Sequence, residues 1–178
     1  MNAHPIKTDS AGSAGLAIVA TDFDDPRLCA DFLALLDHYM QSPTGNGQPM
    51  SDALRRRLPA EMRRRPHVLS YLAYRASDGG QRAVGLINCV EGFSTFAGQP
   101  LLNVHDIVVH QDFRRQGIAR ALLGYAEAVA RQRGCCKLTL EVLEGNHGAR
   151  RAYLDFGFEG YQLDPAMGQA LFMEKKLG

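Results

Sequence analysis

The sequence predicts a mixed α/β domain with a central, mostly antiparallel twisted sheet of about six to seven strands, flanked by about four helices. Strand-like and helix-like segments cluster early in the chain and alternate late, which is typical of a mixed sheet with helices on its faces. The 178 residues are 46% hydrophobic and 22% charged, so the chain can bury the core of one domain. We expect residues 1–14 to be a flexible lead-in and residues 15–178 to form that domain.

The first predicted elements are a strand and a helix. The apolar run Leu16–Ala20 predicts the strand. Asp25 can accept hydrogen bonds as an N-cap, and the missing N–H of Pro26 costs nothing in the first turn of a helix. Apolar residues then recur at helical spacing, so the helix is expected to reach about Gln41.

A loop and a second helix come next. Ser42–Pro49 contains two prolines and two glycines, which predicts the loop. Ser51 can cap a helix that runs through Leu58, and Pro59 is expected to start or kink a further turn that ends before Pro66.

The rest of the chain is predicted to be strands and helices in turn. Val68–Ala76 and Arg82–Val90 flank the turn-rich segment Ser77–Gln81, which predicts an antiparallel hairpin. Leu101–Val109 predicts a longer strand. The remaining predicted elements are a helix at Ile118–Gln132, a strand at Lys137–Leu143, a helix at Ala149–Phe156 and a final strand at Ala170–Glu174.

Composition excludes several classes of function. The 20 basic and 19 acidic residues lack the basic excess of a nucleic-acid-binding domain. No apolar run could cross a bilayer and the N-terminus lacks the order of a secretory signal, so we expect a cytoplasmic protein with no membrane partner. A cytoplasmic protein keeps its thiols reduced, and the adjacent Cys135 and Cys136 are badly placed to bridge each other, so we expect four reduced cysteines. Because neither the cysteines nor the histidines have metal-ligand spacing, we expect no metal site.

The most informative segment is the transition from strand to helix between Asn103 and Arg120. Gly117 and Ala119 leave the backbone there approachable, and the N–H groups in the first turn of a helix favour bound anions. A pyrophosphate fits this pattern, although the segment is neither a Walker loop nor a three-glycine dinucleotide fingerprint. Taken alone, it could equally be a tight turn that binds no ligand.

Two motifs together resemble the GNAT acetyltransferases. Arg114, Gly117 and Ala119 match motif A of that family, in which Gln or Arg, two residues, Gly, one residue and Gly or Ala follow one another. The match to motif B consists of Asn146, Ala149, Tyr153, Gly157 and Phe158. The resemblance covers about residues 68–176 and is closest to bacterial-type members, with some likeness to diamine acetyltransferases. It implies a single GNAT-like domain that uses acetyl-CoA as cosubstrate.

The resemblance implies where acetyl-CoA binds. In the family, the strand before the loop splays away from the next strand, and pantetheine pairs with backbone groups that correspond here to Ile107 and Val109. The pyrophosphate meets N–H groups between Arg115 and Arg120, Asn146 contacts the pantetheine arm, and Tyr153 lies near the sulfur. The implied cofactor-binding residues are Ile107, Val108, Val109, Arg114, Arg115, Gln116, Gly117, Ile118, Ala119, Arg120, Asn146 and Tyr153.

The implied reaction is direct attack of an amine, with a small-molecule primary amine as the expected acceptor, on acetyl-CoA in a ternary complex. Such an amine is protonated near neutral pH, so a base must take its proton. The backbone N–H of Ile107 corresponds to the group that stabilises the oxyanion, and the Tyr153 hydroxyl to the group that protonates the leaving thiolate. Tyr153 could instead be a helix residue that packs against Phe156 and Phe158.

The base is open between several groups. His105 aligns with a position where diamine acetyltransferases carry glutamate and serotonin acetyltransferases carry histidine, and it could act directly or through water. It could equally be a satisfied structural residue. Strand alternation places Asn103, His105 and Ile107 on one face, and Val104 and Asp106 on the other, unless a bulge resets the register.

Other candidates concern the acceptor. Asp106 could orient the amine or only hydrogen-bond to backbone, and Glu91 could act as base, bind a cationic acceptor or simply be solvated. Phe93 and Phe96 could line an acceptor pocket, or belong to a loop that caps the core. The open alternatives in function are a protein lysine or N-terminal acetyltransferase and a non-catalytic acyl-CoA-binding module. Edge strands make a homodimer plausible.

Overall fold

The computed structural model describes residues 15–77, 79–161, 164, 166, 168 and 170–177. The predicted lead-in, residues 1–14, lies outside them. The chain divides after Leu140 into two compact units, each considered by itself. No helix of the described residues is long and apolar enough to span a bilayer.

The first unit is a five-stranded sheet with helices. Its elements are β1 (Leu16–Ala20), α1 (Pro26–Met40), α2 (Asp52–Arg63), β2 (Val68–Ser77), β3 (Gly80–Ser94), β4 (Gln99–Val109), a 3₁₀ turn (Gln111–Phe113), α3 (Ile118–Gln132) and β5 (Leu138–Leu140). The strands follow in the order β1-β2-β3-β4-β5, and only the β4–β5 pair is parallel. The prediction of a mixed, mostly antiparallel sheet is confirmed.

The predicted number of strands was slightly too high. Ala170–Glu174 was expected to be a strand, but these residues adopt no regular structure. Leu171, Phe172 and Met173 are 83%, 79% and 86% exposed. An apolar run becomes a strand only when a neighbouring strand satisfies its backbone groups, and the sequence pattern alone does not reveal that partner.

Helix starts were predicted well, whereas the predicted end of the second helix at Leu58 was wrong. Asp25 caps α1 by accepting hydrogen bonds from the N–H groups of Arg27 at 2.8 Å and Leu28 at 3.3 Å. Ser51 caps α2 in the same way. Pro59, however, lies inside α2, which continues to Arg63. A proline inside a helix removes one hydrogen bond and crowds the carbonyl four residues earlier, and packing of the remaining turns can offset that cost.

Strand ends moved by a few residues. The predicted hairpin is the β2–β3 pair, in which Ser77 pairs directly with Gly80. β3 and β4 are both longer than the predicted strands Arg82–Val90 and Leu101–Val109. β5 is shorter than the predicted strand Lys137–Leu143.

The two long helices pack on opposite faces of the sheet. On one face, Phe32 of α1 belongs to a buried cluster with Leu86 of β3. On the other face, a Cβ placed on Gly85 would lie 3.0 Å from side-chain atoms of both Ile118 and Leu122 in α3. Because adjacent strand residues point to opposite faces, the sheet separates α1 from α3.

The loop before α2 is tied back to α1 by Asp37. This carboxylate accepts a hydrogen bond from the N–H of Met50 at 2.7 Å and pairs with Arg55 at 3.0 Å. The hydrogen bond from Met50 is the main cause that holds the pKa of Asp37 below its ordinary value. The α1 face of the sheet is therefore flanked by an anchored loop.

Candidate functional site

The ladder between β4 and β5 is short and leaves an open strand edge. Leu102–Val104 pairs with Leu138–Leu140, where β5 ends. β4 itself continues to Val109 with β3 on its other side. From His105 to Val109, β4 therefore has no β5 partner among the described residues. Backbone groups on such an edge can bind an extended ligand as an added strand would.

The loop after β4 presents backbone N–H groups. Arg115 and Gly117 both have left-handed backbone conformations, with φ of 59° and 78°. Gly117 is the N-cap of α3, and no side chain caps this helix end. The first N–H groups of an α-helix have no acceptor within the helix, and residues in alternating hand form concave anion sites. The start of α3 thus suits a phosphate group.

Side chains of the same loop hold its shape. Gln116 accepts a hydrogen bond from Arg75 of β2 and donates one to the carbonyl of Asp112 at 3.4 Å. Arg114 donates through Nε to the carbonyl of Val109 at 3.3 Å. Arg114 and Gln116, both predicted to bind the cofactor, therefore also form hydrogen bonds that stabilise the loop.

A pair of histidine rings joins α1 to the start of the loop. His38 of α1 stacks on His110, with ring centroids 4.7 Å apart and planes within 15° of parallel. Burial, and secondly the neighbouring His110, lower the pKa of His38 from its ordinary value. Burial, with His110 adding to its effect, therefore favours a neutral imidazole at His38.

Gly117 offers a test of the loop geometry. We expect Gly117→Ala to reduce the free energy of unfolding by about 1–2 kcal/mol, because an L-residue is strained in the left-handed region. A Cβ there would contact nothing within 4 Å, so strain is the only cost. If the strain relaxes by turning the peptide, binding of acetyl-CoA, the cosubstrate that the resemblance implies, should weaken, which calorimetric titration measures.

The matched control is Gly124→Ala, within α3. There the added Cβ also contacts nothing within 4 Å, but the backbone is helical. Alanine should stabilise that site by about 0.5–1 kcal/mol and leave acetyl-CoA affinity unchanged. Equal effects of both variants on affinity would count against the anion-binding loop.

A β-bulge in β4 changes the predicted faces. Asn88 of β3 pairs with Asp106, while the next residue, Cys89, pairs with Val104. His105 is therefore an extra residue without a counterpart, and its side chain is exposed. Bulges of this kind re-aim side chains and are frequent near active sites.

The bulge moves residues between faces. Asn103, Asp106 and Val108 share the α1 face, whereas Val104 and Ile107 share the α3 face. The regular alternation predicted from the sequence placed Ile107 on the same face as Asn103, and Asp106 on the same face as Val104. That arrangement is wrong, because β4 contains the bulge that the prediction named as its exception.

The two predicted acidic candidates lie on opposite faces. Asp106 accepts a hydrogen bond from the Asn88 side chain at 3.0 Å, on the α1 face. Glu91 aligns with Cys89 on the α3 face and forms an ion pair with Arg133 at the end of α3. The two carboxylates therefore do not form a single acidic pocket.

Phe93 and Phe96 belong to the projecting end of the β3–β4 hairpin. Phe93 lies within β3 and is 63% exposed, and Phe96 is 93% exposed. The expectation that a loop caps the core with these rings is therefore wrong, because both rings face solvent.

The second unit holds the residues of the downstream motif. Asn146 caps α4 (His147–Phe156) by accepting a hydrogen bond from the N–H of Ala149 at 3.2 Å. Gly157 ends the helix with φ of 108°. Tyr153 packs edge-on against Phe158, with ring centroids 5.9 Å apart. The helix begins two residues earlier than predicted, since the asparagine that the resemblance assigned to the cofactor also starts it.

Comparison with known proteins decides the family. The model of the acetyltransferase (GNAT) family matches residues 32–158. This chain belongs to the GNAT acetyltransferase family. Streptothricin acetyltransferase of Streptomyces lavendulae is 37% identical over 95 residues, which are 52% of this chain and 50% of that protein. This GNAT chain thus spans half the length of that relative, and 21% of GCN5-related N-acetyltransferase 4 of Arabidopsis thaliana.

Solved structures share the fold of this GNAT protein. Aminoglycoside acetyltransferase AAC(6')-Iy, in complex with a bisubstrate analogue of CoA and acetylneamine, aligns with a TM-score of 0.69 at 16% identity, over 91% of this chain and 99% of that one. Ribosomal-protein-alanine N-acetyltransferase of Brucella melitensis aligns at 0.65 and 21% identity, over 84% and 96% of the two chains.

One residue of the site was not singled out from the sequence. Asn88 is only 4% exposed, yet it lies in the middle of the apolar run from Val84 to Val90. A polar side chain within a buried strand needs a partner, which was the available signal. No group of three His, Cys, Asp or Glu residues close enough to hold a metal ion occurs in the described part of the chain.

Proposed function

We propose that this protein transfers an acetyl group from acetyl-CoA to the primary amine of a small molecule by direct attack. The observation that supports this most is the open edge of β4, from His105 to Val109, which leads into the anion-binding loop at Gly117. An extended arm that ends in a diphosphate has the shape and charge to occupy both.

The proposed roles follow from the chemistry of the reaction. The amine nitrogen bonds to the acetyl carbon as the carbon–sulfur bond breaks, and the amine proton passes to a base. His105, Asp106, Glu91 and an activated water are the candidates for that base. The N–H of Ile107 stabilises the oxygen that becomes negative, and the Tyr153 hydroxyl donates a proton to the departing sulfur. A homodimer and a cytoplasmic location remain predictions from the sequence.

Calorimetric titration with acetyl-CoA tests the first half of the proposal. We expect saturable binding, and absence of heat at millimolar acetyl-CoA would overturn it. An assay of thiol release from acetyl-CoA with a panel of amines then tests the reaction. The panel consists of streptothricin, an aminoglycoside, an aliphatic diamine and a peptide that begins with alanine. Turnover with a small amine supports the proposal. Turnover of the peptide alone would indicate a protein-modifying enzyme, and binding without any turnover a non-catalytic acyl-CoA module.

A further inference from the structure

We propose that Asn88 and Asp106 form the subsite that holds the charged amine of the acceptor, and that Asn88 positions the Asp106 carboxylate. The acceptor class is a protonated alkylamine rather than an uncharged arylamine. This inference rests on the proposed function and names the substrate class of the same site.

A hydrogen bond fixes the relative orientation of the Asn88 and Asp106 side chains. They are cross-strand neighbours on the α1 face, and Asn88 Nδ2 donates to Asp106 Oδ2 at 3.0 Å. A carboxylate can only accept, so the amide nitrogen must face it and the amide oxygen must point elsewhere. The hydrogen bond therefore fixes both the carboxylate and the direction of Asn88 Oδ1.

Asn88 Oδ1 is a buried acceptor with no hydrogen-bond partner in the described structure. Leaving such a group unpaired is destabilising, so a donor is expected when the site is filled. Ser70 provides the contrast. It is the other buried polar residue of the described chain and pairs directly with Asn88 across β2 and β3, but its hydroxyl already bonds to Thr21 Oγ1 at 2.9 Å.

The position suits the reacting amine. Asp106 directly follows the bulge residue His105 and precedes Ile107, the proposed oxyanion donor. It is half-buried, so its carboxylate remains approachable. An alkylammonium has three N–H donors, and Asp106 together with Asn88 Oδ1 offers acceptors and one compensating negative charge. An uncharged arylamine would leave that carboxylate without compensation.

The kinetic test compares Asn88→Ala with Ser70→Ala. Asn88→Ala should raise KM for an aliphatic diamine about 10- to 100-fold, because the Asp106 carboxylate loses its positioning hydrogen bond and the acceptor Asn88 Oδ1 is removed. The affinity for acetyl-CoA should change by less than about twofold. Ser70→Ala removes a buried polar group from the same row, one whose hydroxyl bonds to Thr21 Oγ1. It should change KM by less than about twofold, and equal losses in both variants would overturn the inference.

A second test uses NMR spectroscopy of the wild-type protein. It requires neither catalytic turnover nor a correctly folded variant. In ¹⁵N-labelled protein, the side-chain amide signal of Asn88 should shift on addition of 1,4-diaminobutane and remain in place with aniline. A signal that does not move with the diamine, or that moves equally with aniline, would overturn the inference. Failure of acetyl-CoA to bind would instead overturn the proposed function and leave this readout standing.

Discussion

Tyr153→Phe is expected to lower the turnover of thiol release by about 100-fold while acetyl-CoA affinity changes by less than about twofold. The substitution removes only the hydroxyl that is proposed to protonate the departing sulfur. The ring that packs against Phe158 is retained, so α4 should keep its structure. Steady-state thiol release measures turnover, and calorimetric titration measures affinity.

Tyr161→Phe is the matched control for this prediction. Tyr161 lies in the same unit, is 57% exposed and has no proposed role in the reaction. It should leave turnover within about twofold of wild type. If Tyr153→Phe behaves like this control, the tyrosine serves packing and another group protonates the sulfur.

Phe32→Ala is expected to lower the free energy of unfolding by about 3–5 kcal/mol. Phe32 is fully buried between α1 and the sheet, where its ring packs edge-on against Phe23 at 5.0 Å between centroids. Truncation loses the apolar contacts and leaves a cavity that surrounding helices and strands fill only in part. Urea unfolding followed by circular dichroism measures the change.

Phe96→Ala provides the comparison for the same residue type in solvent. Because Phe96 is 93% exposed, its removal should change the unfolding free energy by less than about 0.5 kcal/mol. A loss comparable to that of Phe32→Ala would contradict the projecting hairpin. A raised KM for the amine would instead support the prediction that these rings line an acceptor pocket.

Much of the fold was predictable because its signals are local. Asp25 and Ser51 start their helices through hydrogen bonds to residues only two or three positions away, so a short stretch of sequence contains the whole signal. The number of strands was harder to predict, since Ala170–Glu174 has an apolar pattern but no strand partner in the described structure. Pairing depends on distant residues, which periodicity does not report.

The sequence by itself determined the family resemblance and the tight turn into α3, because Gly117 acts through its own backbone freedom at a helix start. Only the tertiary structure decided which side chains share a face. The bulge opposite Asn88 and Cys89 moves Asp106 to the α1 face, while Glu91 lies on the other face and pairs with Arg133. The alternation of side chains between faces is a property of one strand, whereas a bulge exists only in the pairing of two strands. The candidate acceptor subsite could therefore be recognised only from the paired β3 and β4 strands.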